Sequence, residues 1–71
     1  MAQRPIVYTL STCPTCVKLK EFFDQEGVEY EERQVDERQE WMDEANEIAD
    51  MVPIVVYPDG RVEVGFAGEV G

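Results

Sequence analysis

The sequence predicts a small α/β domain of element order β-α-β-α-β-β built on a mixed four-stranded sheet, and three observations predict it. A β-branched run from Pro5 to Thr9 leads into a proline-headed helical pattern at Pro14. A second helical pattern follows a weakly alternating segment, and two short β runs flank the turn residues Pro58-Asp59-Gly60. Strands alternating with helices call for a parallel pair wound right-handedly, and the terminal hairpin then adds antiparallel strands. At 71 residues the chain is one domain, near the size at which a single core only just suffices.

Taken in order, Pro5 to Thr9 is a short apolar run containing Ile6, Val7 and Tyr8, the form of a strand buried in the centre of a sheet. From Pro14 to Glu26 the positions Cys16, Val17, Leu19, Phe22 and Phe23 recur at helical spacing, and Gly27 follows as the terminating residue. Asp24 and Glu26 in the last turn carry the wrong sign for the helix dipole, and nothing local explains them. Glu29 to Val35 alternates weakly and is dense in charge, which suits an edge strand that must not pair with another chain. Asp36 with Gln39 three residues on resembles a capping box, so a second helix is expected from Glu37 to Asp50 with Trp41, Met42, Ala45, Ile48 and Ala49 as its apolar face. Trp41 reads as core. Pro53 to Tyr57 and Arg61 to Val64 form the hairpin, and the stretch from Gly65 to Gly71 is too short for a full helix.

The chemistry concentrates where the first strand meets the first helix. Cys13-Pro14-Thr15-Cys16 places one cysteine at the N-cap and the other in the first turn, close enough for their sulfurs to close a small disulfide without unwinding the backbone. Proline suits the first helical position, because its φ is already helical and its missing N–H would have no partner there. Uncapped amides and the positive end of the dipole then face the Cys13 sulfur and favour thiolate over thiol. Cys13 is therefore expected to be the nucleophile and Cys16 the resolving thiol. Two other readings of the pair stand beside this one. Half of a zinc site is one, but zinc takes four ligands and the chain has no histidine and no third cysteine, so only two chains together would complete it. Two structural cysteines that happen to lie close together are the other.

Net charge is −10, from sixteen acidic and six basic side chains, and its distribution is lopsided. Residues 1–20 hold Arg4, Lys18 and Lys20 with no acid, whereas residues 21–50 hold thirteen acids against Arg33 and Arg38. Lys18 and Lys20 could assist a thiolate or a docking partner, although on an exposed helix plain solvation is the ordinary reading. An acidic surface repels nucleic acid and anionic lipid, so neither is an expected partner. No apolar run approaches a membrane span, and Met1 to Leu10 lacks the pattern of a signal sequence. The expectation is a cytoplasmic protein, in a reducing compartment where a C-x-x-C pair reads as catalytic or metal-binding rather than as a structural bridge.

Across nearly its whole length the chain resembles the glutaredoxin-like branch of the thioredoxin superfamily. Val7-Tyr8-Thr9 leading to Cys13-Pro14-Thr15-Cys16, Val52-Pro53 at the start of a late strand, and Gly65-Phe66 after the last strand carry the likeness. The resemblance implies a thioredoxin-like, glutaredoxin-size fold whose final helix is absent here, which would leave apolar sheet surface for a homodimer or partner to cover. It implies a cis bond at Val52-Pro53, with Val52 pairing with an extended substrate segment beside Cys13. Pro14, Thr15, Met51, Val52, Pro53, Gly65 and Phe66 are the substrate-contact residues so implied. Leu10 stands where many glutaredoxins carry a lysine for glutathione, Met51 where threonine is common, and a double glycine is reduced to Gly65-Phe66. In that last stretch the chain is similar to the redoxins that serve ribonucleotide reductase and are recharged by thioredoxin reductase. Arg33, Arg38 or Arg61 could still hold glutathione.

The expected function is thus a dithiol oxidoreductase that reduces protein disulfides, with no tightly bound cofactor or metal and with glutathione or thioredoxin reductase as electron donor. Two other classes stand beside it. One is a glutathione-dependent or homodimeric iron–sulfur or metal-binding module in which two chains share a cluster through Cys13. The other is an interaction module that kept the fold without turnover.

Overall fold

The computed structural model describes residues 4–69; residues 1–3, part of the stretch read above as lacking a signal sequence, and residues 70–71, the end of the closing segment, lie outside it. The elements run β1 (Ile6–Thr9), α1 (Pro14–Glu26), β2 (Glu31–Gln34), α2 (Gln39–Ile48), β3 (Ile54–Val56) and β4 (Val62–Val64). They form one four-stranded sheet in the order β2-β1-β3-β4. The β1–β2 pair is parallel and the other two pairs are antiparallel. The mixed sheet and the edge position of β2 match expectation.

Strand alternation divides the core. Val7 and Val55 point to one face and meet Leu19 and Phe23 of α1. Tyr8 and Ile54 point to the other and meet Val35 and Ala45, with Trp41, Met42 and Ala49 packed around them. Because β1 is covered on both sides, Val7, Tyr8 and Thr9 are all buried, which is why its sequence is a continuous run rather than an alternation.

Helix α1 keeps its expected bounds because local signals set both ends. Gly27, at φ 70°, sits in the left-handed region, its N–H reaching Asp24 O at 3.3 Å while Val28 N–H reaches Phe23 O at 2.9 Å. Val28 then packs against the cluster that contains Phe23. This double closure holds the helix end despite the acidic last turn.

The second helix departs from expectation. It starts at Gln39 with Arg38 at the N-cap and no side-chain capping bond, and it stops at Ile48 rather than Asp50. No Asp36–Gln39 capping box forms, because Asp36 accepts a hydrogen bond from Ser11 and Gln39 Nε2 donates to Asp43 at 3.0 Å. Arg38 lies 4.9 Å over the Trp41 ring, which is half-buried rather than fully in the core, and Ile48 stays exposed. The strands are each shorter than their apolar runs, since only residues with a ladder partner extend the sheet.

Exposed apolar surface lies in three places, one of them at Ile48 and Met51 around the end of α2. Val17 and Phe22 stand out from α1, and Val62 and Val64 of β4 stand on the sheet face that α2 covers elsewhere. After β4 the chain folds back on itself. Phe66 and Glu69 pair across a tight turn, with the Phe66 ring 5.5 Å from Phe22 and Glu69 bonded to Lys18 at 3.2 Å. Among the described residues no helix is long and apolar enough to cross a membrane.

Candidate functional site

Three segments meet at the end of the sheet where β1 finishes. The loop after β1 turns at once, with Cys13 N–H bonded to Leu10 O at 3.2 Å, and delivers Cys13 to the N-cap of α1. The β1–β3 ladder ends with Tyr8 paired to Ile54, which brings the segment before β3 to the end of β1, where Leu10 and Val52 line one groove. Gly65 N–H donates to Pro53 O at 2.8 Å and ties the end of β4 to the same place. Topology thus brings Cys13-Pro14-Thr15-Cys16, Met51-Val52-Pro53 and Gly65-Phe66 to one rim.

Cys13 and Cys16 are joined as a disulfide with Cα atoms 5.3 Å apart. Cys13 adopts the extended backbone of an N-cap, and its sulfur accepts the Cys16 amide N–H at 3.0 Å. A sulfur thus fills the place that a serine or aspartate oxygen takes at most helix starts. Exposure does not separate the two cysteines, at 3% and 1%; position does, because the amide donor and the helix end both serve Cys13. Ser11, Thr12 and Pro14 around it are exposed.

The other expected contact residues fall into two groups. Val52, Gly65 and Phe66 are half-buried and Met51 is exposed, so all four offer surface. Thr15 and Pro53 are buried, which leaves Thr15 little side chain to offer a substrate. The Val52-Pro53 bond is cis, as the resemblance implied.

The charges around the site differ from their order in sequence. Lys18 pairs with Glu69, and Lys20 reaches Glu32 at 2.9 Å. Asp36 is drawn against Ser11, two residues before Cys13, and that hydrogen bond holds its carboxyl below the usual range. Lys18 and Lys20 are therefore met by acids arriving from the last turn and from β2, while an acid of the β2–α2 connection is bonded to Ser11. Glu32 also accepts from buried Thr9 at 2.7 Å; burial pushes its carboxyl up, but the bonds from Lys20 and Thr9 outweigh that and leave it lowered.

Each of the three arginines considered for glutathione pairs with a carboxylate of the chain. Arg33 binds Glu31 and Glu44 at 2.6 and 2.7 Å and so is held firmly charged, with Tyr8 Oη also donating to Glu44. Arg38 pairs with Glu40. Arg61 pairs with Asp59 beside the β3–β4 turn, at the far end of the sheet from Cys13.

Sequence reasoning missed a groove beside this rim. Leu10, Val35, Met42, Ala45, Asn46, Ala49, Asp50, Met51 and Val52 enclose about 230 Å³ between the end of β1, α2 and the segment before the cis-proline. The signal was present but dispersed: apolar residues Leu10, Met51 and Val52 beside two strands, and the apolar face of α2. Among the described residues no group of three or more cysteine, aspartate or glutamate side chains could hold a metal ion.

A redox-capable cysteine pair at a helix start, on a mixed sheet with a cis-proline beside it, defines a protein of thioredoxin-like fold. Solved structures agree. The chain is similar to the glutaredoxin (grx-1) of Archaeoglobus fulgidus, with 30% identity and a TM-score of 0.74 over 89% of this chain and 75% of that one. It is also similar to the thioredoxin-like protein BC3987 in mutant form, with 33% identity and a TM-score of 0.81 over 92% and 85% of the two chains. The Glutaredoxin family model matches residues 6–62, and the chain belongs to the glutaredoxin family. A curated relative, Glutaredoxin 1 of Rickettsia conorii, is 53% identical over 30 residues, which is 42% of this chain and 29% of that protein. The family is one of thiol–disulfide oxidoreductases.

Proposed function

We propose that this protein reduces protein disulfides, with Cys13 as nucleophile and Cys16 as resolving thiol, in a reducing compartment such as the cytosol. The observation that carries the reading is the Cys16 amide N–H donated to Cys13 Sγ at 3.0 Å from the first turn of α1. Once the pair is reduced, that donor and the helix end stabilise negative charge on Cys13 against the opposing effect of burial. The Cys13 thiolate attacks one sulfur of a substrate disulfide, forming a mixed disulfide and releasing the other substrate sulfur as a thiolate that takes up a proton. Cys16 then gives up its proton and attacks Cys13 Sγ, which breaks the mixed disulfide and frees the second substrate thiol. Two electrons pass to the substrate, and the Cys13–Cys16 disulfide is then reduced by two molecules of a thiol such as glutathione, which leave as their disulfide, or by thioredoxin reductase. The exposed edge of Val52, ahead of Pro53, is suited to align an extended substrate segment.

Two variants test the division of roles. Cys13→Ser is expected to abolish disulfide reduction, by at least about a thousandfold, as loss of a nucleophile does. Cys16→Ser should accumulate a mixed disulfide with substrate, visible by intact mass. The reverse pattern would overturn the assignment. Supplying reduced glutathione or thioredoxin reductase with its nicotinamide donor to the oxidised protein distinguishes the two electron sources.

A further inference from the structure

We propose that the groove beside the cysteine rim is a specificity pocket for an apolar side chain of the substrate protein, flanked in that substrate by a basic residue. This deepens the oxidoreductase reading and rests on it. The groove lies beside the loop that carries Cys13, because Leu10, whose carbonyl receives the Cys13 N–H, forms one wall, and Val52, ahead of the cis-proline, forms another. Met42, Ala45 and Met51 make the lining apolar, and a volume of about 230 Å³ accepts one leucine- or methionine-sized side chain. Two methionines in the lining let it adjust to more than one such shape.

Charge selects the rest of the ligand. The groove's one charged lining residue is an acid, Asp50, and the nearby exposed face of α2 adds Asp43 and Glu47. Among the described residues no lysine or arginine lines the groove: Lys18, Lys20, Arg33, Arg38 and Arg61 pair with carboxylates elsewhere, and Arg4 precedes β1, at the opposite end of that strand from Cys13. A lysine or arginine beside the apolar anchor would be drawn to Asp50, whereas a ligand carrying carboxylates, such as glutathione, would be repelled.

The test uses the pre-reduced protein in single turnover with four disulfides: a peptide with leucine beside the cystine and lysine beyond it, the same peptide with glutamate for lysine, the same with glycine for leucine, and glutathione disulfide. Hydroxyethyl disulfide reports the basal reaction. The leucine–lysine peptide is expected to react about tenfold faster than the glycine peptide. Asn46→Trp, at an exposed helix position on the groove, should erase that preference and leave hydroxyethyl disulfide unaffected. Asp50→Lys, also exposed, should invert the preference for lysine over glutamate by roughly threefold to fivefold, as fits an exposed ion pair. The pocket assignment is overturned if the leucine preference survives Asn46→Trp, or if glutathione disulfide reacts as fast as the leucine–lysine peptide. It is also overturned if sedimentation shows a dimer that Asn46→Trp dissolves, since a second copy would then fill the groove. If hydroxyethyl disulfide is not reduced at all, the oxidoreductase reading falls, and the pocket assignment with it.

Discussion

The two helix starts in this protein are built in opposite ways. At α1 the cap is a sulfur, Cys13 Sγ, bonded to the Cys16 amide, with proline following it. At α2 the N-cap is Arg38, whose side chain caps nothing, while the carboxylate that local sequence offers for the task, Asp36, is bonded to Ser11 in the loop before Cys13. A capping group has been drawn away from one helix to brace the approach to the other. The helix that presents the cysteines is closed at both ends and deeply packed; the helix that roofs the groove has a bare start and a single fully buried residue, Ala45. Precision is concentrated on the reacting side, and latitude is left on the side where a substrate would be accommodated.

Three measurements would sharpen or break this contrast. The largest effect is expected from packing: Phe23→Ala on α1 should lower stability in urea by roughly 3–5 kcal/mol, whereas Ile48→Ala on α2 should lower it by less than about 1 kcal/mol. Comparable losses would show that the two helices are equally committed to the core. A smaller gain is expected from giving α2 the cap it lacks. Arg38 already has the extended backbone of a cap residue, so Arg38→Ser should add about 1 kcal/mol from capping, less about 0.5 kcal/mol for the lost stacking on Trp41. No gain in thermal unfolding would mean that the start of α2 is already satisfied by water.

The smallest effect concerns pH. Glu32 has a lowered carboxyl in the folded chain, so it contributes stability above the ordinary glutamate value and loses that contribution as pH falls through its folded value. Its side chain is about one-third exposed, so the contribution is modest. Unfolding followed from neutral pH into the acid range should therefore show a shallower decline for Glu32→Gln than for the parent chain. Identical acid limbs would show that the Thr9–Glu32–Lys20 contacts add nothing to folding.

What could be read in the sequence was whatever local chemistry decides. The first helix was legible to the residue because Pro14 and Gly27 mark its ends without help from elsewhere. The central strand was legible because burial on both faces requires an unbroken apolar run. The start of α2 was misread because Asp36 has a partner 25 residues away, and no local rule can weigh Ser11 against a helix amide. The pairing of charges was illegible for the same reason, since Glu32 and Glu69 reach Lys20 and Lys18 only after folding. The sequence placed both cysteines at a helix start, and the structure has them there, but the groove beside them is made by three segments far apart in the chain.

The sulfur at the head of α1 carries one further implication. The atom offered to a partner is also the one that finishes the helix. The Cys16 amide holds Cys13 Sγ even while that sulfur is bonded to Cys16, so forming a bond to sulfur does not undo the cap. The start of α1 thus stays closed in the oxidised protein, and the reactive pair costs the helix nothing at its head.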